Sequence, residues 1–274
     1  MKLIVVPVSF TANSRNAARY AADLAMSVGA DIHLLYSFQV PMSLSEVPMP
    51  ESAFEDLQST GLDLLSDLSA ELTKRTDGKV KISTNQMIGT VEGVIENCCD
   101  EKKPLLVVMG ETGPGLENAL LGGNTIKAVK HLPYPVLVIP ESVEFKPIHR
   151  VVVACDKDDL WSGLPLATPV LQLLGGLPGI RMEVVHVVTH EESASEFTQA
   201  YNRWKNDLKG LQPELFIVRA LTVVEGLNLH LHQSAADMVL VFPKHHGVFD
   251  FHRSQARRVV LHCPLPVLSV HEHA

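Results

Sequence analysis

The chain has little of what stabilises secreted or metal-dependent proteins. Its four cysteines (Cys98, Cys99, Cys155, Cys263) form no C-x-x-C pair and no zinc-ligand spacing. They are expected to be plain buried thiols in a reducing, cytoplasmic setting. No apolar run approaches the roughly 20 residues that cross a bilayer, so no membrane partner is expected. The opening Met1 to Pro7 is too short for a signal peptide and reads as a first strand. Basic residues are outnumbered, 23 against 31, giving a net charge of −8. Such a surface has no basic face with which to neutralise many phosphates, so nucleic acid is not an expected partner either. Hydrolase signatures are missing as well: there is no Gly-x-Ser-x-Gly elbow and no Gly-x-x-x-x-Gly-Lys-Ser/Thr loop. No residue set supports turnover beyond slow ATP hydrolysis, for which Glu111, inside the glycine loop, could orient a water.

What is present is an alternating α/β pattern. With 274 residues, the chain can form one large domain or two of the common size of about 100–150 residues. Residues 3–8 read as a buried strand, and Thr11 to Ser14 offer N-caps to a helix ending at Gly29. Ile32 to Tyr36 is the next strand, and Val40 to Pro50, with three prolines, is a loop. A helix follows over about 52–75, with Phe54, Leu57, Leu62, Leu65, Leu68 and Leu72 on one side. Val80 to Met87 is a weak strand, and Thr90 caps a helix through about Glu101. Strict alternation implies right-handed crossovers and a parallel sheet.

The most informative stretch is Leu105 to Pro140. A strand (Leu105 to Met109) runs into a loop punctuated by Gly110, Gly113, Gly115, Gly122 and Gly123, then a short helix opened by Asn124 and Thr125, then a strand (Pro135 to Ile139). Glycines before a helix N-terminus let backbone N–H groups approach an anion, and the helix dipole favours negative charge, so a phosphate is the expected guest.

After the polar linker 141–148, the same landmarks return in the same order. Arg150 to Asp156 repeats Leu3 to Ser9, Val224-Glu225-Gly226 repeats Val91-Glu92-Gly93, and Pro266-Val267-Leu268 repeats Pro135-Val136-Leu137. The chain reads as an internal duplication. The expected fold is two tandem doubly wound α/β domains, residues 1–140 and 149–274, each a five-stranded parallel sheet with helices on both faces. Second-half strands are expected near 150–155, 180–187, 214–219, 237–242 and 266–270. Ser193 to Leu208 is the amphipathic counterpart of the long first-half helix, with Phe197, Ala200, Tyr201 and Trp204 facing the core.

At the glycine loop the sequence resembles the universal stress protein family, whose nucleotide signature is Gly, two residues, Gly, nine residues, Gly, then Ser or Thr. Gly110-Glu111-Thr112-Gly113 begins it, residues 114 to 122 fill the spacing, and Gly123-Asn124 ends it, with Asn in place of the hydroxyl and Thr125 next. The resemblance extends over the whole first half and more loosely over the second. It implies adenine-nucleotide binding, ATP with or without Mg²⁺, where strands one and four end. Gly110, Gly113, Gly123, Asn124 and Thr125 would hold phosphates and ribose, while Pro7, Ser9 and Met109 would line the nucleoside end. Ser9 stands where many members have Asp, removing one acceptor. In the second copy, Pro243, a histidine and Arg253 replace the three glycines, so that loop is expected to be degenerate.

The histidines His230, His232, His245, His246, His252, His262, His271 and His273 are expected to be solvated rather than metal ligands, and Lys244, Arg253, Arg257 and Arg258 to form a solvated basic face. The expected work is nucleotide-gated interaction with an unidentified protein partner in stress response. A scaffold without nucleotide is the alternative. Residues 136–139 and 267–270 are candidates to pair within the chain, and a homodimer of tandem units is left open.

Overall fold

Runs of valine, isoleucine and leucine too short for helices become the strands of one sheet. The computed structural model describes residues 2–38, 51–111, 124–156, 170, 174, 177–189, 194–205, 213–242 and 263–270. In chain order these carry β1 (Leu3–Val8), α1 (Ala12–Val28), β2 (Asp31–Phe38), α2 (Glu51–Arg75), β3 (Ile82–Ile88), α3 (Val91–Lys102), β4 (Leu106–Gly110), α4 (Asn124–His131) and β5 (Val136–Ile139). They continue with β6 (Arg150–Ala154), β7 (Arg181–Val188), α5 (Ala194–Lys205), β8 (Glu214–Arg219), α6 (Val223–Ser234), β9 (Met238–Val241) and β10 (Val267–Ser269). The strand order is β3-β2-β1-β4-β5-β10-β9-β6-β7-β8. Pairing is parallel throughout except at the centre, where β5 and β10 run antiparallel with Leu137 opposite Leu268. The order of β6 to β10 is thus that of β1 to β5, and the two sets of five strands make one continuous sheet.

Both faces of this sheet are covered, as parallel strands buried on both sides require. On one face α1, α2 and α5 pack over Ile4, Val6, Leu34, Val108, Leu137, Val151, Val184, Leu240 and Leu268. On the other, α3, α4 and α6 pack over Val5, Leu35, Val107, Val138, Val152, Val185 and Val239. The helices start as their sequences dictate. Thr11, Thr90 and Thr222 each sit at an N-cap with extended backbone and accept a bond from the amide of the residue three positions on. Gly29 closes α1 in the left-handed region at φ 64°.

Two expectations are corrected. Leu57 and Leu62 of α2 are 42% and 50% exposed, whereas Leu65, Leu68 and Leu72 are buried. At the level of Leu62 the residue that seats α2 on the sheet is Gly61, against Tyr36 and Gln86, and Leu62 falls to the side of the helix, where it lines the open edge with Thr84. His230 is buried, not solvated. Its Nε2 lies 2.7 Å from Glu183 Oε2, and Arg150 Nε lies 3.3 Å from the other oxygen, so a buried carboxylate is met by two partners, as burial of a charge demands. His245, His246, His252, His262, His271 and His273, with the basic residues of that loop, lie outside the described residues. The aromatic stripe of α5 is core: Phe197, Tyr201 and Trp204 are buried. All four cysteines are free and buried, and burial pushes the Cys99 thiol up to about 12.

The linker is no loose tether. Asn16 of α1 donates its side-chain amide to the carbonyls of Pro140, Glu141 and Val143 at 3.3, 3.2 and 2.9 Å. One turn on, Tyr20 meets Phe145 edge to face, with ring centroids 5.2 Å apart. Ile148 is buried.

Candidate functional site

The order of the first five strands reverses between β1 and β4, where ligands of doubly wound sheets bind at the carboxyl ends. One residue opens this point. The Leu3 carbonyl accepts from Leu105 N at 2.8 Å, so alternate residues Leu3, Val5 and Pro7 direct their backbone groups at β4. Proline has no N–H to give. The β1–β4 ladder accordingly covers Ile4 with Leu106 and Val5 with Val107, while β1 keeps its pairing with β2 through Val8. β4 goes on with β5 through Gly110. Beyond Val5 the β1–β4 pairing ends, while β1 and β4 stay paired with their outer neighbours.

The loop leaving β1 is tightly held. Ser9 N donates to Ser14 Oγ at 2.9 Å, and Ser9 Oγ lies 3.2 Å from Thr11 Oγ1. Phe10 takes a left-handed backbone at φ 60°, a conformation costing roughly 1–2 kcal/mol outside glycine. It is held by its ring, 4.9 Å from that of Tyr36, and by its carbonyl, which accepts from Arg15 Nε at 3.3 Å. Arg15 is shared with Glu71, 3.8 Å away, which Arg19 meets at 2.6 Å.

From the first turn of α1, Asn13 Nδ2 donates to the Glu111 carbonyl at 3.2 Å. Gly110 faces the first turn of α1, where an added Cβ would come 2.6 Å from the Asn13 carbonyl oxygen. Its role in the described structure is therefore to let α1 close over the end of β4. Thr125 is buried, and its hydroxyl donates to the Gly110 carbonyl at 2.8 Å. That bond ties the first turn of α4 to the end of the strand. Asn124 is exposed and is the first residue of α4.

The structure thus brings Pro7, Ser9, Gly110, Asn124 and Thr125 to one end of the sheet. Met109 is 6% exposed and packs in the core layer under α3 and α4. Gly113 and Gly123 lie outside the described residues. Sequence reasoning missed Phe10, Asn13 and Arg15. Positive φ at a phenylalanine carries no sequence signal, and Asn13 reads as one of several cap candidates until the fold brings Glu111 beside it.

The universal stress protein family model matches residues 1–140. A universal stress protein of Methanocaldococcus jannaschii is 31% identical over 144 residues, covering 50% of this chain and 81% of that protein. Universal stress protein G of Salmonella typhimurium is 30% identical over 143 residues, covering 50% and 98%. Among solved structures, a universal stress protein from Archaeoglobus fulgidus superposes with a TM-score of 0.77 at 14% identity, over 98% of both chains. One from Pseudomonas aeruginosa does so at 0.59 and 18%, over 99% of this chain and 93% of that one. These structures share the fold over both sets of strands, and with the match over the first half the chain belongs to the universal stress protein family.

Proposed function

We propose that the chain is a cytoplasmic stress-response protein that binds ATP or a related adenine nucleotide at the carboxyl ends of β1 and β4. Residues 1–140 form the binding domain, 141–148 the linker, and 149–274 a degenerate copy serving structure or partner binding. The observation that carries this reading is the end of the β1–β4 ladder at Pro7, where the capped N-terminus of α1 and the Thr125-anchored start of α4 lie at the same end of the sheet. Helix N-termini gathered at strand ends favour an anion. Gly110, Gly113, Gly123, Asn124 and Thr125 would hold phosphates and ribose, with Pro7, Ser9 and Met109 toward the nucleoside. Mg²⁺ would accompany the phosphates. Differential affinity for two conformations would then gate a protein partner.

A second reading has its own support. Ser9 is engaged by Thr11, and Gly110 is accounted for by Asn13, so neither residue requires a ligand. On that reading the protein is a scaffold. The two are separated by denaturing the purified protein, analysing the supernatant for nucleotide, and measuring melting with millimolar ATP. Binding raises the melting temperature by mass action, and Gly113→Arg and Gly123→Arg abolish both signals. No co-purified nucleotide and an unchanged melting temperature in the wild type would leave the scaffold reading.

A further inference from the structure

With β5 and β10 paired at the centre, the sheet formed by the described residues ends in two edge strands, β3 and β8. Edge strands are templates for further pairing, and proteins usually blunt them with charge or proline. β3 carries neither: its seven residues are Ile-Ser-Thr-Asn-Gln-Met-Ile. Ile32 N donates to the Lys81 carbonyl, so Lys81, Ser83, Asn85 and Met87 turn their backbone groups inward to β2. Ile82, Thr84, Gln86 and Ile88 therefore present theirs outward.

We propose that β3 is a self-pairing edge through which two copies of the chain join antiparallel about a twofold axis normal to the sheet. The register is fixed by symmetry on Asn85. Thr84 then faces Gln86 of the second copy and Ile82 faces Ile88, all four with outward backbone groups, so these are hydrogen-bonded pairs. Like residues meet: apolar Ile82 sits on apolar Ile88, which is 61% exposed in the single chain. Lys81 falls opposite Gly89, so no like charges collide.

Gln86 contributes its outward backbone groups alone, because its side-chain amide lies inward, against Gly61 of α2 and beside Tyr36. The helix above allows the approach. Leu62, Ser66, Ser69, Ala70, Thr73 and Lys74 of α2, with Thr84, line an open groove of about 570 Å³ along this edge, and the small side chains in its middle, Ser66, Ser69 and Ala70, let two such helices come close.

The other edge does not fit itself. A twofold normal to the sheet must pair residues of the same face. In β8 that sets Glu214 against Val218 or Leu215 against Arg219, a charge on an apolar side chain either way.

The test is the mass of the full chain by light scattering and sedimentation equilibrium, from micromolar to several hundred micromolar. The expected result is about twice the 30.0 kDa of the monomer, falling to the monomer mass in Thr84→Pro and Ile88→Lys. Thr84→Pro removes an outward N–H and leaves the bonds to β2 intact. Ile88→Lys is at an exposed side chain, so it carries the test if the proline variant does not fold. Ile217→Lys on β8 remains dimeric. A wild type monomeric throughout, a dimer surviving Ile88→Lys, or a dimer dissociated by Ile217→Lys would overturn the proposal.

Discussion

Gly110 of β4 and Asn13 of α1 are in backbone contact: a methyl group on the glycine would stand 2.6 Å from the asparagine's carbonyl oxygen. Since real Cβ atoms do not come that close to backbone, Gly110→Ala forces α1 away from β4. The expected loss is about 1–3 kcal/mol, the range for overpacking a well-filled site, read from the shift of the urea midpoint. Because the same helix carries Asn13 to Glu111, any nucleotide binding weakens with it.

Asn16 holds the linker by three donated hydrogen-bond contacts. Asn16→Ala leaves those carbonyls to water or unpaired, at a cost of about 1–3 kcal/mol. The linker should then be cut faster by a protease acting at Lys146 or Phe145, with the rest of the digestion pattern unchanged. A pattern identical to wild type would mean that Tyr20 and Phe145 suffice to hold it.

His33 is buried on β2. Its Nδ1 meets Ser83 Oγ at 2.8 Å, and that hydroxyl donates onward to the Ile32 carbonyl, so Nδ1 carries the proton. Nε2 is buried with no partner among the described residues. Burial first, then the charge of Lys102, lowers its pKa below the usual 6.5. The unfolded chain therefore binds the proton more readily, and stability falls as pH drops below about 6.5 towards the lowered folded value. His33→Gln should flatten the stability profile in that window, measured by urea unfolding at a series of pH values.

Glu183 is the buried charge shared by Arg150 and His230. Glu183→Ala strands two partners and is expected to cost about 3–5 kcal/mol. Adding His230→Ala should cost less than the sum of the single changes, because the two residues interact directly. Additivity in that cycle would show the 2.7 Å contact to be energetically empty.

Much of the fold was legible because its signals are local. Short valine-rich runs, threonine caps and the glycine closing α1 act over one turn or one strand, and the observed elements fall within a few residues of where those signals put them. Leu62 misled because apolar spacing marks a broad face, whereas the residue that meets the sheet at that level is its neighbour Gly61. His230 misled because its partner, Glu183, lies 47 residues away. At the site, Pro7 was readable as part of the first strand and, by family resemblance, as a residue toward the nucleoside, yet its effect on the β1–β4 ladder depends on which neighbour its nitrogen faces, and that is a property of strand order.

By itself the sequence determined the alternation of strands and helices, the glycine spacing after β4 and the family to which the first half belongs, all carried by residues close together in the chain. Tertiary structure alone decided that β5 and β10, already candidates to pair, run antiparallel with Leu137 opposite Leu268, that Gly110 serves the approach of α1, that Asn16 grips the linker, and that an uncharged β3 is left at the edge. Each of those depends on which backbone groups come to face one another, and partners far apart in sequence leave no local mark.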